Sequence, residues 1–170
     1  MPDKTGDMGN ERLEDYFRRH YLLIFRVAFT QVKNHADAED VLQEVFVRLL
    51  KYRPEFENEE HERAWLVRTT MNLCRDLMKS KWRRTTVGME KIPEAERAYF
   101  KVPYLEQDDT LWAVLELPVK YRECLYFFYY EDYSVREIAR ILEIPENTVK
   151  TNLRRGREAL KTTLKKEDIK

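Results

Sequence analysis

From Leu13 to Leu77 the apolar residues return at three- and four-residue steps with hardly a glycine or proline among them. That period is the helical one, and it leaves little room for alternating strands. The chain holds only four glycines and six prolines in 170 residues, too few for a turn-rich β protein. The first helical segment carries Leu13, Tyr16, Phe17, Tyr21, Ile24, Val27 and Ala28 on one face. Asn34 and His35 interrupt it, and Asp37 supplies acidic charge to the start of the next helix. There Ala38, Val41, Leu42, Val45, Phe46, Leu49 and Leu50 form the core stripe, and Pro54 ends it. An acidic loop over 54–61 leads into a long helix from about Glu62.

Periodicity fades over 85–107, where Gly88, Pro93 and Pro103 mark a linker with one short helical turn at most. Beyond it, DDTLWAVLEL and VKYRECLYFFYY read as two helices separated by Pro118. Ser134 and Glu137 have capping-box spacing and open another. The expected organisation is all-α: a loose tail over 1–10, a three-helix bundle over 11–84, a linker over 85–107 and a four-helix bundle over 108–166. Cys74 and Cys124 sit far apart in apolar surroundings and read as reduced core thiols. Three scattered histidines give no metal cluster, and neither a phosphate-cradling glycine loop nor a nucleophile constellation appears, so no cofactor and no enzymatic activity is expected. No stretch suits a membrane span or a secretory leader, which places the chain in the cytoplasm.

Three surfaces carry chemistry. After Ser134, the residues Val135, Ile138, Ala139 and Leu142 form a short apolar face; Glu143-Ile144-Pro145 turns the chain; and Val149, Leu153 and Leu160 line a second helix. This is helix-turn-helix spacing, in which the second helix enters the major groove by its N-terminal end. Asn147, Thr148, Lys150, Thr151 and Asn152 are the expected outward readers, and Arg154 and Arg155 are placed for phosphates. Lys150 to Lys166 holds seven basic residues and one acid, although the whole chain is neutral. The alternative for this segment is an ordinary helical hairpin with a solvated basic face.

On the long helix, Arg68, Asn72, Arg75, Asp76, Lys79 and Arg83 share one arc with Trp65, and residues 63–84 contain seven bases against Asp76 alone. Cations interleaved with an aromatic and an amide suit nucleic acid; a soluble amphipathic helix is the plainer reading. The second helix instead turns Asp37, Asp40, Gln43 and Glu44 outward. An acidic face repels phosphate, so it points away from DNA or toward a basic protein.

Together, DAEDVLQEVFVRLL, ERAWLVRTTMNLCRDLMKSKWRR and the SVREIA…IPENTVK segment resemble the sigma-70 family of bacterial RNA polymerase initiation factors, in its small extracytoplasmic-function group. The resemblance implies that Asp37, Asp40, Gln43 and Glu44 bind the clamp helices of the polymerase β′ subunit. It implies that the loop with Phe56, Asn58 and His61, together with Trp65 and Asn72, serves the promoter −10 element, Asn72 holding a flipped base. Arg68, Arg75, Asp76, Lys79, Arg83 and Arg84 would flank that site, and the helix-turn-helix would read the −35 element beside the β flap. An acidic run over 90–109 would pass through the polymerase cleft, and a membrane-anchored anti-sigma protein would hold the free factor. Glu143 and Asn147 stand where the family commonly has glycine, and Asn152 where arginine is frequent. A repressor or activator using only 108–166, or a helical adaptor with protein partners alone, would leave part of this pattern unused.

Overall fold

The computed structural model describes residues 10–84 and 108–167; the tail, the linker and the last three residues lie outside it, as do the side chains of Asn10, Glu11, Arg12, Arg83, Arg84 and Glu167. All described elements are helices: α1 (Asn10–Val32), α2 (His35–Tyr52), α3 (Glu59–Arg84), α4 (Asp109–Glu116), α5 (Val119–Tyr129), α6 (Val135–Leu142) and α7 (Glu146–Glu167). The first three pack on one another, and the last four form a second bundle around α5 and α7.

Each boundary has a local cause. Lys33 takes a positive φ between α1 and α2, and the Asn34 side chain then accepts from the Asp37 amide, capping α2. At the far end Arg53 turns left-handed, and Pro54 cannot continue the helix. The long helix α3 begins three residues earlier than the acidic loop suggests. Asn58 accepts the His61 amide at 2.8 Å, and Glu59, Glu60 and Glu62 oppose the positive end of the dipole. Residues 59–61 are therefore helix, not loop. Ser134 and Glu137 complete their reciprocal cap at 3.2 and 2.7 Å, and the Ser134 amide, followed by its hydroxyl, holds the Glu137 carboxyl below its ordinary range.

The turn between α6 and α7 is made by Glu143 at φ 57°, ψ 43°, a left-handed conformation that costs a residue with a Cβ about 1–2 kcal/mol. Its amide bonds to the Ala139 carbonyl, as does that of Ile144. Glu143→Gly should therefore raise the unfolding free energy, by about 0.5–1 kcal/mol once the extra flexibility of the unfolded glycine chain is subtracted. Chemical denaturation measures this, and a less stable glycine variant would show that the turn carries no strain.

Buried side chains run without interruption from Ile24 and Phe29 through Val45 and Met71 to Leu115, Tyr126 and Ile138, so the two bundles share one core. Gly156 lets α7 approach α5, since a Cβ there would stand 2.9 Å from Leu125 Cδ1. Cys74 and Cys124 are buried free thiols, and burial pushes them up to about 12 and about 11. Leu50, expected in the core stripe of α2, is 39% exposed.

Between the bundles Phe29 of α1 meets Trp112 of α4 edge-on, with ring centroids 6.5 Å apart, and polar contacts flank this apolar one. Arg63 on α3 reaches the Glu131 carboxylate at 2.8 Å and the Tyr133 hydroxyl at 3.0 Å, its guanidinium lying over the Tyr133 ring. Tyr126 donates to the other Glu131 oxygen at 2.6 Å. Arg122, buried and pushed down to about 10 by that burial, donates to the carbonyls of Leu115, Leu117 and, across the seam, Gln31. The Arg26 Nε, His20 Nε2 and Arg122 Nε atoms are buried without a hydrogen-bond partner among the described residues, each costing roughly 1–3 kcal/mol if dry.

Candidate nucleic-acid interface

On α2, Asp40, Gln43 and Glu44 are exposed on one side of the helix, with Glu44 paired to Arg48 at 3.1 Å. Asp37 does not share their freedom: it is half-buried and bound to Lys81 of α3. The exposed stripe continues instead through Val47, 53% exposed, to Leu50. Residues three and four apart meet on a helix surface, so one face passes from acidic to apolar within two turns. The sequence reading missed this apolar half because Leu50 also fits the core spacing.

Along α3, Arg68, Asn72, Asp76 and Lys79 are exposed at steps of three and four residues, as expected. Arg75 is half-buried and donates to the Leu142 carbonyl of α6 at 3.5 Å. Trp65 is also half-buried and meets the Phe56 ring edge-on, with centroids 5.8 Å apart. Phe56 stands in turn against His61 at 5.7 Å, so the loop before α3 and the first turns of the helix make one aromatic shelf. His61 Nδ1 accepts from the Glu57 amide at 3.3 Å, tying the loop to the helix. Trp82, which the sequence reading did not single out, is 78% exposed near the helix end.

At the start of α7, Asn147, Thr148 and Lys150 are exposed. Thr151 is half-exposed, and its hydroxyl donates back to the Asn147 carbonyl at 2.9 Å. Asn152 is not an outward residue. It is buried to 9% exposure, and its side chain hydrogen-bonds the Cys124 thiol of α5. Helical geometry explains this, because Asn152 lies one step from buried Leu153 and three from buried Val149. Arg154 and Arg155 are exposed, Arg154 pairing with Glu158 at 3.3 Å. Arg136 and Arg140, exposed on α6 one turn apart, add two cations to the helix-turn-helix. Their four-residue spacing was the available signal.

This geometry defines a helical protein with a capped helix-turn-helix in one bundle and an exposed cationic stripe in the other. The family profile for Sigma-70 region 2 matches residues 16–84, and that for Sigma-70 region 4 matches residues 112–160. The chain is 30% identical over 155 residues to the ECF RNA polymerase sigma factor SigW of Bacillus subtilis, covering 84% of this chain and 83% of that one. It is 32% identical over 174 residues to the ECF RNA polymerase sigma factor SigE of Mycolicibacterium smegmatis, covering 96% of this chain and 66% of that one. Among solved structures, the sigma factor RpoE bound to the anti-sigma factor NepR, from Bartonella quintana, superposes with a TM-score of 0.67 at 20% identity, covering 89% of this chain and 98% of that one. CnrH in complex with the cytosolic domain of CnrY gives 0.63 at 21% identity, covering 92% and 90%. The chain belongs to the sigma-70 family of RNA polymerase sigma factors, in its extracytoplasmic-function group. Its function is promoter recognition for RNA polymerase in transcription initiation. No helix among the described residues is long and apolar enough to cross a membrane.

Proposed function

We propose that the three exposed surfaces divide the work of initiation. Asp40, Gln43 and Glu44, extended by Val47 and Leu50, dock on the β′ clamp helices of core polymerase. The aromatic shelf of Phe56, His61 and Trp65, with Arg68, Asn72 and Lys79 beyond it, engages the −10 element. The N-terminal end of α7 reads the −35 element, with Asn147, Thr148 and Lys150 toward base edges and Arg154 and Arg155 toward phosphates. Asn152 supports this helix from behind. Arg75 is a holder of DNA only when it is released from Leu142. The polymerase supplies the chemistry; this chain acts in the cytoplasm as a non-catalytic specificity subunit, and an anti-sigma protein of the kind bound by RpoE holds it inactive.

The observation that carries this reading is the exposure of Asn72 in line with Arg68 and Lys79, one turn or two from the aromatic shelf. A base leaving the duplex needs a stacking surface and an amide within reach, with cations for its backbone. Run-off transcription with core polymerase tests the reading as a whole. Asn72→Ala tests its centre: open-complex formation should fall about tenfold while closed-complex binding is retained, as expected when one hydrogen-bonded contact of about 1.4 kcal/mol is lost at melting. Permanganate reactivity over the −10 region reports melting directly, and normal reactivity would take Asn72 out of the site.

A further inference from the structure

Trp82 is the most exposed large apolar side chain among the described residues, at 78%. It does not stand alone, because Met78, one turn earlier on the same side, is 44% exposed. Arg68, Asn72, Arg75, Lys79 and Trp82 follow one another at steps of four, three, four and three, the spacing that keeps residues on one helix face. The indole therefore continues the stripe that carries Asn72, and Lys79 beside it is exposed as well. These surroundings select the partner. A cationic stripe tipped with an aromatic is matched by a polyanion that also offers apolar surface. Promoter DNA already lies along this stripe in the proposed function, on which this inference rests.

Length along the helix then fixes the place. Trp82 lies ten positions beyond Asn72, about 15 Å along the axis. That span covers at most about four base pairs of duplex. The direction follows from the chain: α3 leads on to the bundle that reads the −35 element, so its C-terminal end points upstream. DNA on that side stays paired, since a helix-turn-helix reads a duplex groove. An indole has one N–H donor and two broad apolar faces. Laid on the major-groove edge of guanine, cytosine or adenine, it strands their donors and acceptors. Thymine alone presents a methyl group there.

We propose that Trp82, with Met78 flanking it, is a specificity residue that packs on the methyl group of a thymine in the paired DNA immediately upstream of the −10 element. It adds a preference that neither Asn72 nor the recognition helix α7 supplies.

The test uses holoenzyme assembled with the parent chain, Trp82→Ala or Trp82→Phe. Each is titrated with promoter fragments carrying a T·A pair, placed in turn about two to five base pairs upstream of the −10 element. The same fragments with deoxyuridine keep the pairing and lack only the methyl. At one position the parent should lose about fourfold in affinity on that change, the worth of one buried methyl group. Trp82→Ala should be indifferent to it at every position, and Trp82→Phe should keep most of the discrimination. Trp82 is exposed, so neither substitution disturbs the fold. A parent indifferent to deoxyuridine throughout overturns the proposal. So does a Trp82→Ala holoenzyme that binds all fragments more weakly yet still discriminates. A loss of affinity for core polymerase alone, with discrimination intact, places the indole on a protein surface and overturns it too. Permanganate reactivity of the Asn72→Ala holoenzyme keeps the two ideas apart. Reduced melting there, with no deoxyuridine effect in the parent, leaves α3 as the −10 helix and removes only the thymine contact; normal melting removes the reading beneath it.

Discussion

Replacing Asp40 and Glu44 together by lysine should lower affinity for core RNA polymerase by two orders of magnitude or more, while leaving the helical content unchanged. Both side chains are exposed on α2, so the fold loses little. The Glu44–Arg48 pair is solvent-facing and worth a few tenths of a kcal/mol at most. The effect lies at the interface. Close charge pairs between proteins couple by about 1.5–7 kcal/mol, and reversal turns each attraction into repulsion. Two such reversals easily reach the roughly 2.7 kcal/mol that a hundredfold change requires. Fluorescence anisotropy of the labelled factor against core polymerase measures it. Val47→Asp should act in the same direction through the apolar half of the stripe. Asp37→Lys belongs to a different experiment: Asp37 is bound to Lys81, so its reversal loosens α2 from α3. Unaltered core affinity in the Asp40 and Glu44 double variant would remove the acidic face from the polymerase interface.

What the sequence made legible follows from how local each cause is. The Ser134–Glu137 cap, the Glu143 turn and the core spacing of α6 and α7 are set by residues within four positions of one another, and they stand in the structure as the pattern implies. The start of α3 was misplaced because a run of acids resembles a loop, although Asn58 with acids behind it is also a helix N-terminus. The exposure of Arg68, Asn72, Asp76 and Lys79 on α3 and of Asn147, Thr148, Lys150, Arg154 and Arg155 on α7 followed from the 100° step, whereas Asn152 is buried and Trp65, Arg75 and Thr151 are partly so. Asn152, Trp65 and Arg75 are decided by what packs against the helix, namely Cys124, Phe56 and Leu142, and no spacing along α3 or α7 reveals those neighbours. Leu50 fails for the same reason in reverse. It fits the stripe, yet nothing covers it enough to bury it. The seam was illegible altogether, since Arg63 and Glu131 are 68 residues apart and each looks like an ordinary surface charge.

The recognition helix offers the sharpest division of labour. Lys150 lies in the first turns of α7 and is exposed, where base edges in a major groove come within reach. Arg155 lies more than a turn further on and is exposed; on a helix that enters the groove by its N-terminal end, such a position suits phosphate contact. Lys150→Ala should therefore change which −35 base is preferred, by about 1–3 kcal/mol if the contact is a good bidentate pair. Arg155→Ala should weaken binding to all −35 sequences alike and lower the slope of log affinity against log salt by about one, because one fewer phosphate is neutralised. Asn152→Ala, by contrast, should leave sequence preference unchanged and lower stability, since its amide serves Cys124 inside the bundle. The measurement is holoenzyme affinity for a library of −35 variants at two salt concentrations. Uniform weakening by Lys150→Ala would make that lysine a phosphate holder. No effect from either Lys150→Ala or Arg155→Ala would leave the helix-turn-helix as a packing motif, and the readers of the −35 element would then have to be sought among Arg136 and Arg140 on α6.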